Sequence, residues 1–504
     1  MKKISALLMI AVFVSFSLTA ATKKSSSKKN SAKEELPVIK IVSKNGSTDF
    51  VTKPVAHSVK EHEKTWYGNQ YQSFPDPWYE DCEITVINEK GIELLGNVTG
   101  KVKVRGNWTT SYDKKGLRIK FDKKQGMLGL HDGNEFKNWV LLACFKDASM
   151  IRDLTALNMS RAMFPEYYAS DCRLVEVYIN DTYWGVYLLA EQQEVNKNRI
   201  NITEPEKNYT GTDIGYFFEF DMYAFTEAEE ERFYIDYLGD IYDIDSRLIS
   251  DALINSYTIK SDVYSTAQRD FIQDYMNKLW KICREAAYNK KYYRFKSDYT
   301  LEQYTPEGNN DDEKCRNCIE NIIDTDSLAA AYIIAEITCD PDLAVTSFLM
   351  DIDFGEKGNK KLRFEAPWDF DSTMGNRPAC ADSQGLFAGK IRDEEFVRGK
   401  GNPWMLIFIQ TDWFKTLVKE KWNQVNDNGK STAMSVIDSV AVYKTQFDKN
   451  RKKWGNPTNH SGASSELCKG SRTAAISSQQ ASADYLKNWL EKRFAELDKI
   501  FTSW

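Results

Sequence analysis

The chain has 504 residues, 42 % of them hydrophobic and 28 % charged, with a formal net charge of −6 at pH 7. That length and apolar content can bury a large core and imply two lobes or more. Seven lysines and no acid put +7 on residues 1–33, so the remainder carries −13. A body that acidic excludes a general nucleic-acid binder, since nothing in it would neutralise a phosphate backbone. A single bound nucleotide is still compatible, because a metal ion and a few local cations suffice.

The chain opens as an exported protein does. Lys2 and Lys3 precede an apolar run from Ile4 to Leu18, and Thr19 and Ala21 are small residues placed for cleavage before Thr22. Residues 1–21 therefore read as a signal peptide, with Ser5, Ser15 and Ser17 weakening the run as a permanent span. No other stretch is apolar enough to cross a bilayer, so no stable membrane span is expected after cleavage. Residues 22–35 form a basic, Ser- and Lys-rich linker with no apolar face to bury, expected to be disordered.

From Leu36 the pattern turns globular. Pro37 to Val42, Cys82 to Ile87, Val98 to Arg105 and Leu117 to Phe121 alternate or run apolar over strand lengths. Trp139 to Cys144 is a continuous apolar run of the same length. Ile151, Leu154 and Leu157 then recur at helical spacing, with Asp147 or Ser149 able to cap the first turn. Leu174 to Ile179 and Tyr183 to Leu189 flank Asn180-Asp181, the chemistry of a tight hairpin turn. Residues 36–204 thus read as a β-rich N-terminal lobe carrying one helix. Residues 205–325 read as an insertion or the start of a helical lobe, with the acidic run Glu227 to Glu231 as a solvated face. Residues 326–504 read as a mainly helical C-terminal lobe. Its last helix places Leu486, Trp489, Leu490, Phe494 and Leu497 on one apolar stripe. Nine cysteines include a lone C-x-x-C at Cys315 and Cys318, which reads as a local disulfide or as buried thiols.

Several catalytic signatures are absent: there is no G-x-x-x-x-G-K-[ST] loop, no G-x-S-x-G elbow and no H-E-x-x-H pair. His57, His62, His131 and His460 have no ligand spacing. The informative stretch is Ser327 to Gly375. A helix over Leu328 to Ile337 ends at Cys339-Asp340-Pro341-Asp342. A hairpin follows, with strands at Ser347 to Met350 and Leu362 to Glu365, and delivers Asp369-Phe370-Asp371. Protein kinases use this order of helix, acidic loop, hairpin and acidic loop to place a catalytic and a metal-binding Asp on either side of a γ-phosphate. Phosphoryl transfer needs hard carboxylate oxygens to hold Mg²⁺ or Mn²⁺, and a second carboxylate to orient the acceptor hydroxyl. Paired carboxylates also serve glycosidases, and turn-capping Asp residues give the same spacing, so the loops alone leave all three readings open.

Six motifs in order separate them. They are VKVRGNWTT from Val102, DKKGLRIKF from Asp113, NWVLLA from Asn138 with Asp147 and Ile151-Arg152-Asp153, and VEVYINDTYWGVYLLAE from Val175 to Glu191. The last two are the Asp342 loop and PWDFD from Pro367, with Gly375. In these the chain resembles the CotH kinase family of secreted spore-coat-type kinases, over most of its length except about 205–300. The resemblance implies an α+β, atypical protein-kinase-like two-lobed fold that binds ATP with Mg²⁺ or Mn²⁺ and phosphorylates Ser or Thr of exported proteins. The signal peptide, for its part, implies a secreted, periplasmic or cell-surface location. The resemblance puts Asp342 at the catalytic position and Asp369 at the metal-binding position, with Asp371 as a further metal ligand or a turn-capping acid. Arg105 and Lys114 are the cations expected on phosphates, with Lys120 as an alternative to Lys114. Glu191 either orients the lysine or borders the adenine. Two departures stand out. Ser347 occupies the position, five residues after Asp342, where the family has a metal-binding Asn, and Asp340 stands where its Asn-x-Asp opening has Asn. These departures are compatible with weakened metal binding, with a Mn²⁺ preference or with a catalytically silent nucleotide-binding scaffold. A carbohydrate-active protein is the remaining alternative, drawn from the paired acids and abundant aromatics.

Overall fold

The computed structural model describes residues 35–56, 75–249, 254–394 and 397–504. The signal peptide read at 1–21, nearly all of the linker at 22–35, and His57 and His62 lie outside the described residues.

Alternation in the N-terminal strands has a consequence the linear pattern did not reveal, because the sheet closes on itself. Seven strands form a barrel in the order β1 (Val38–Ser43), β2 (Glu80–Ile87), β3 (Glu93–Arg105), β4 (Gly116–Gln125), β5 (Phe136–Leu142), β7 (Thr182–Glu191) and β6 (Cys172–Ile179). The closing contact is the parallel pairing of β1 with β6, from Val38 opposite Glu176 to Ile41 opposite Ile179. Every second residue points inward, so Ile39, Ile41, Ile84, Val102, Ile119 and Trp139 are fully buried in one core. Asn180 and Asp181 adopt φ of 46° and 58° between β6 and β7, as a two-residue hairpin whose central residues are both left-handed requires.

Helix α1 (Arg152–Met163) follows the barrel strand β5. The Asp147 carboxylate caps it, accepting from the backbone N–H of Ile151 at 3.0 Å and Arg152 at 2.9 Å. A second sheet runs β14 (Arg363–Phe364), β13 (Phe348–Asp353), β8 (Gly215–Phe220), β10 (Ser256–Ile259), β9 (Arg232–Tyr234). Two of its inner strands, β8 and β10, come from the stretch the sequence left illegible, and β8 pairs with β13 along its whole length. The expected hairpin between the acidic loops is β13 with β14, Met350 opposite Phe364. Helix α2 (Thr266–Arg284) backs this sheet.

The C-terminal part is helical, as expected. Helix α3 (Thr325–Thr338) is buried nearly all round and capped by Asp324. The long helix α4 (Asp412–Ser439) packs against α1, α3 and the final helix. Then α5 (Lys444–Trp454) leans on β7, and α6 (Gln479–Thr502) buries Leu486, Trp489, Leu490, Phe494 and Leu497. The Arg493–Glu336 ion pair, 2.8 Å and inaccessible to solvent, joins α6 to α3. All nine cysteines are buried thiols, Cys315 and Cys318 included. Among the described residues no helix is long and apolar enough to cross a membrane.

Candidate active site

Helix α3 ends in a left-handed residue, Cys339 at φ 48°, and the chain turns into the first acidic loop. Asp340 Oδ1 accepts the backbone N–H of Asp342 at 2.9 Å, fixing a one-turn 3-10 helix over Asp342–Ala344. Ser347 enters β13 at φ 59°, a conformation asparagine adopts more readily than serine. Its N–H donates to Glu219 Oε1 at 2.9 Å.

The second loop is held in unusual backbone conformations, with Ala366, Asp369 and Met374 at φ of 61°, 67° and 45°. Such conformations persist only where the surroundings over-determine them. Here Asp153 Oδ1 accepts Phe370 N–H at 2.8 Å, and Arg152 donates to the Thr373 and Met374 carbonyls at 3.1 and 3.4 Å. Tyr485 OH donates to Gly375 O at 3.0 Å from α6. Gly375 has φ +79° and lies so close to the Trp489 ring that a Cβ would collide with it, so the loop needs glycine at this position.

Between the loops opens a cavity of about 1120 Å³, ample for a nucleotide. Asp342, Asp369, Asp371, Ser347, Arg105 and Lys114 all line it. Asp342 and Asp371 are buried. Burial raises the pKa of all three carboxyls. For Asp371 it is pushed up to about 6 despite Lys146, and for Asp369 the neighbouring Asp342 adds to the rise. Two cations stand between the loops. Lys146 Nζ is 3.1 Å from Asp371 Oδ1, and Arg377 Nη1 is 3.8 Å from Asp342 Oδ1.

The other expected residues divide. Arg105, at the end of β3, turns its guanidinium over the Trp368 ring at 5.4 Å, with Asp369 among its nearest charges. Lys114 is fully buried and its ammonium donates to the carbonyls of Ala143 (2.8 Å) and Val186, above the Tyr187 ring. Burial lowers its pKa to about 7. Lys120 does not line the cavity and is exposed, two residues or about 7 Å beyond Arg118, which does. Glu191 is enclosed away from the cavity, accepting from Arg199 Nε at 2.9 Å and Asp171 N–H at 2.9 Å. The residues just after it, Gln192 to Val195, line the cavity instead.

Further charged groups line the cavity, among them Lys146, Glu219, Asp221, Arg377 and Glu466. Lys146 stood beside the motif residue Asp147. Glu219 on β8 and Asp221 one residue past its end are two residues apart, which puts both on one side of the extended chain, a signal the FEFD sequence carries. Glu219 Oε2 pairs with Lys260 at 2.9 Å. Glu466 had no sequence signal at all.

The donor set fits a hard divalent cation. Among the described residues the Asp369 side chain makes no direct hydrogen bond or ion pair, and Asp342, Lys146 and Arg105 are the charges nearest to act on it. Among the described residues no three His, Cys, Asp or Glu side chains converge enough to hold an ion alone.

The structure is a mixed α+β fold, with a closed barrel and a helical C-terminal part, in which two acidic loops line one nucleotide-sized cavity. The sequence matches the family described as CotH kinase protein over residues 102–497, and the chain belongs to that family. The match spans the 205–300 stretch that the motif reading left out. No curated protein matches the chain.

Proposed function

We propose that the protein is an exported, ATP- and divalent-metal-dependent kinase that phosphorylates Ser or Thr of secreted or surface proteins. The observation that carries this reading is the opposition of Asp342 and Asp369/Asp371 across one cavity with Lys146 and Arg377 between them. In this reading the barrel side and the helical side serve as the two kinase lobes. Asp342 orients the acceptor hydroxyl and takes its proton, for which its burial-raised pKa is suited. Asp369, with Asp371, would hold Mg²⁺ or Mn²⁺, which when bound neutralises phosphate charge. Arg105 supplies a fixed cation on the barrel side. Lys114, committed to two carbonyls, shapes the floor of the cavity.

A second reading, a catalytically silent nucleotide-binding scaffold, is favoured by Ser347 alone, since it lacks the family's amide oxygen. Thermal shift with ATP plus Mn²⁺ against a panel of oligosaccharides tests nucleotide binding. Transfer of labelled phosphate to the protein or to a Ser/Thr peptide library then separates the two readings. Stabilisation without transfer selects the scaffold; stabilisation by an oligosaccharide alone overturns both.

A further inference from the structure

Arg118 on β4 lines the cavity beside Arg105 on β3. Both point to the outside of the barrel, because Val102, Val104, Leu117 and Ile119 fill its interior. On that outer face Arg118 stands directly opposite Lys103, and Lys120 directly opposite Lys101, while Arg105 faces Gly116, which has no side chain. Arg118 is the diagonal neighbour of Arg105, within reach of long side chains, and like charges set directly opposite each other on a sheet are destabilising. Burial lowers the Arg105 pKa; Asp369 opposes that, and Arg118 adds to it.

The nearby acids leave this cationic face uncancelled. Asp81 reaches Lys101 at 3.5 Å, at the end away from the cavity. Glu194, the carboxylate on which Arg118 acts, is bound instead by Arg199 at 2.6 Å and Asn138 at 2.8 Å. Arg118 Nε is buried without a hydrogen-bond partner. Among the described residues neither guanidinium makes a hydrogen bond or an ion pair, and Arg105 rests on the Trp368 ring. Of the cations between Asp113 and Phe121, only Lys114 and Arg118 line the cavity, and Lys114 is spent on two carbonyls.

We propose that Arg118 is a phosphate-binding residue, which with Arg105 takes the phosphate tail of the nucleotide on the barrel side of the cavity. This inference rests on the kinase reading above. A phosphate offers the planar guanidinium fork the paired oxygen acceptors that the protein withholds from it, and its charge relieves the repulsion along the ribbon.

Calorimetric titration of the full chain with Mn²⁺ and either ATP or adenosine tests this. Arg118→Gln should weaken ATP about tenfold, the loss of a charge-assisted hydrogen bond, and leave adenosine unchanged. Arg118→Lys, which keeps the charge without the fork, should fall between Arg118→Gln and wild type. Thermal unfolding without nucleotide should show Arg118→Gln at least as stable as wild type, since one member of a like-charge pair is gone, whereas a structural role would lower it. Unchanged ATP affinity, an equal loss for adenosine, or a destabilised nucleotide-free variant overturns the proposal. Failure of the wild type to bind ATP with Mn²⁺ would instead overturn the kinase reading, and this inference with it.

Discussion

Replacing Arg152 by Met removes the guanidinium that ties the start of α1 to the tail of the second acidic loop. Arg152 and Asp147 are each 1 % exposed, and the pair is closed by Arg152 Nη1 on Asp147 Oδ1. Methionine fills much of the volume but strands a buried carboxylate without its counter-charge, which typically costs about 3–5 kcal/mol. Asp147 keeps its donors from Ser149 N–H, Ser149 Oγ, Ile151 N–H and Arg152 N–H, so the low end, about 3 kcal/mol, applies. The Met374 carbonyl loses its donor, adding about 1 kcal/mol, while the Thr373 carbonyl keeps the Asn376 N–H at 2.9 Å. The expected loss is about 4 kcal/mol; with a urea m value of about 4 kcal/mol/M for a chain of this length, the midpoint falls by about 1 M. Equilibrium unfolding measures this directly, and a cycle with Asp147→Asn should return a coupling of about 2 kcal/mol. A loss under 1 kcal/mol, or additive single variants, would refute the claim that this pair anchors the loop.

Asp369→Ala should abolish divalent-dependent ATP binding in calorimetric titration, whereas Asp342→Asn should keep binding and lose transfer; unchanged metal-dependent affinity in Asp369→Ala would count against the metal assignment. Ser347→Asn should strengthen Mn²⁺- or Mg²⁺-dependent ATP binding and raise stability by about 0.5–1 kcal/mol, because asparagine tolerates φ 59° better. No change in either quantity would show that Glu219, bonded to the Ser347 N–H, already completes that corner. Lys114 has a folded-state pKa of about 7 against an ordinary value near 10.5, so the unfolded chain binds more protons between those values. Its contribution to stability therefore improves as pH rises, by about 3 kcal/mol from pH 7 to 9.5. Urea unfolding of wild type and Lys114→Gln at both pH values isolates this from other groups, and equal pH slopes would refute it.

The sequence was most legible where one face is buried and the other wet. Alternation located the barrel strands, and Asn180-Asp181 located their last hairpin. It could not show closure, because that depends on β1 meeting β6 more than a hundred residues away. The stretch 205–300 was opaque for the opposite reason. Gly215 to Phe220 is a strand with only Glu219 partly exposed, so its apolar run has no period to read. At the site, the acidic loops were legible from their order along the chain. Lys146, Arg377 and Glu466 were not, because single charges acquire meaning only once the fold has placed them beside Asp371 and Asp342. Lys120 and Glu191 belong to the right strands but stand clear of the cavity: Lys120 lies about 7 Å of strand beyond Arg118, and Glu191 turns to Arg199 and the Asp171 N–H while its neighbour Gln192 lines the cavity.

The six-residue strand β1 is what keeps the barrel closed. It pairs with β2 on one side and β6 on the other, so it is the stave that leaves the barrel with no free edge. Proteolysis or a start beyond Ser43 would strip it away and expose two rows of unpaired amides and carbonyls, along with the apolar interior around Ile84 and Val177. Open edges of that kind recruit strands from other molecules. Losing Val38–Ser43 would thus turn a closed barrel into an open sheet with two edges ready to pair with other molecules.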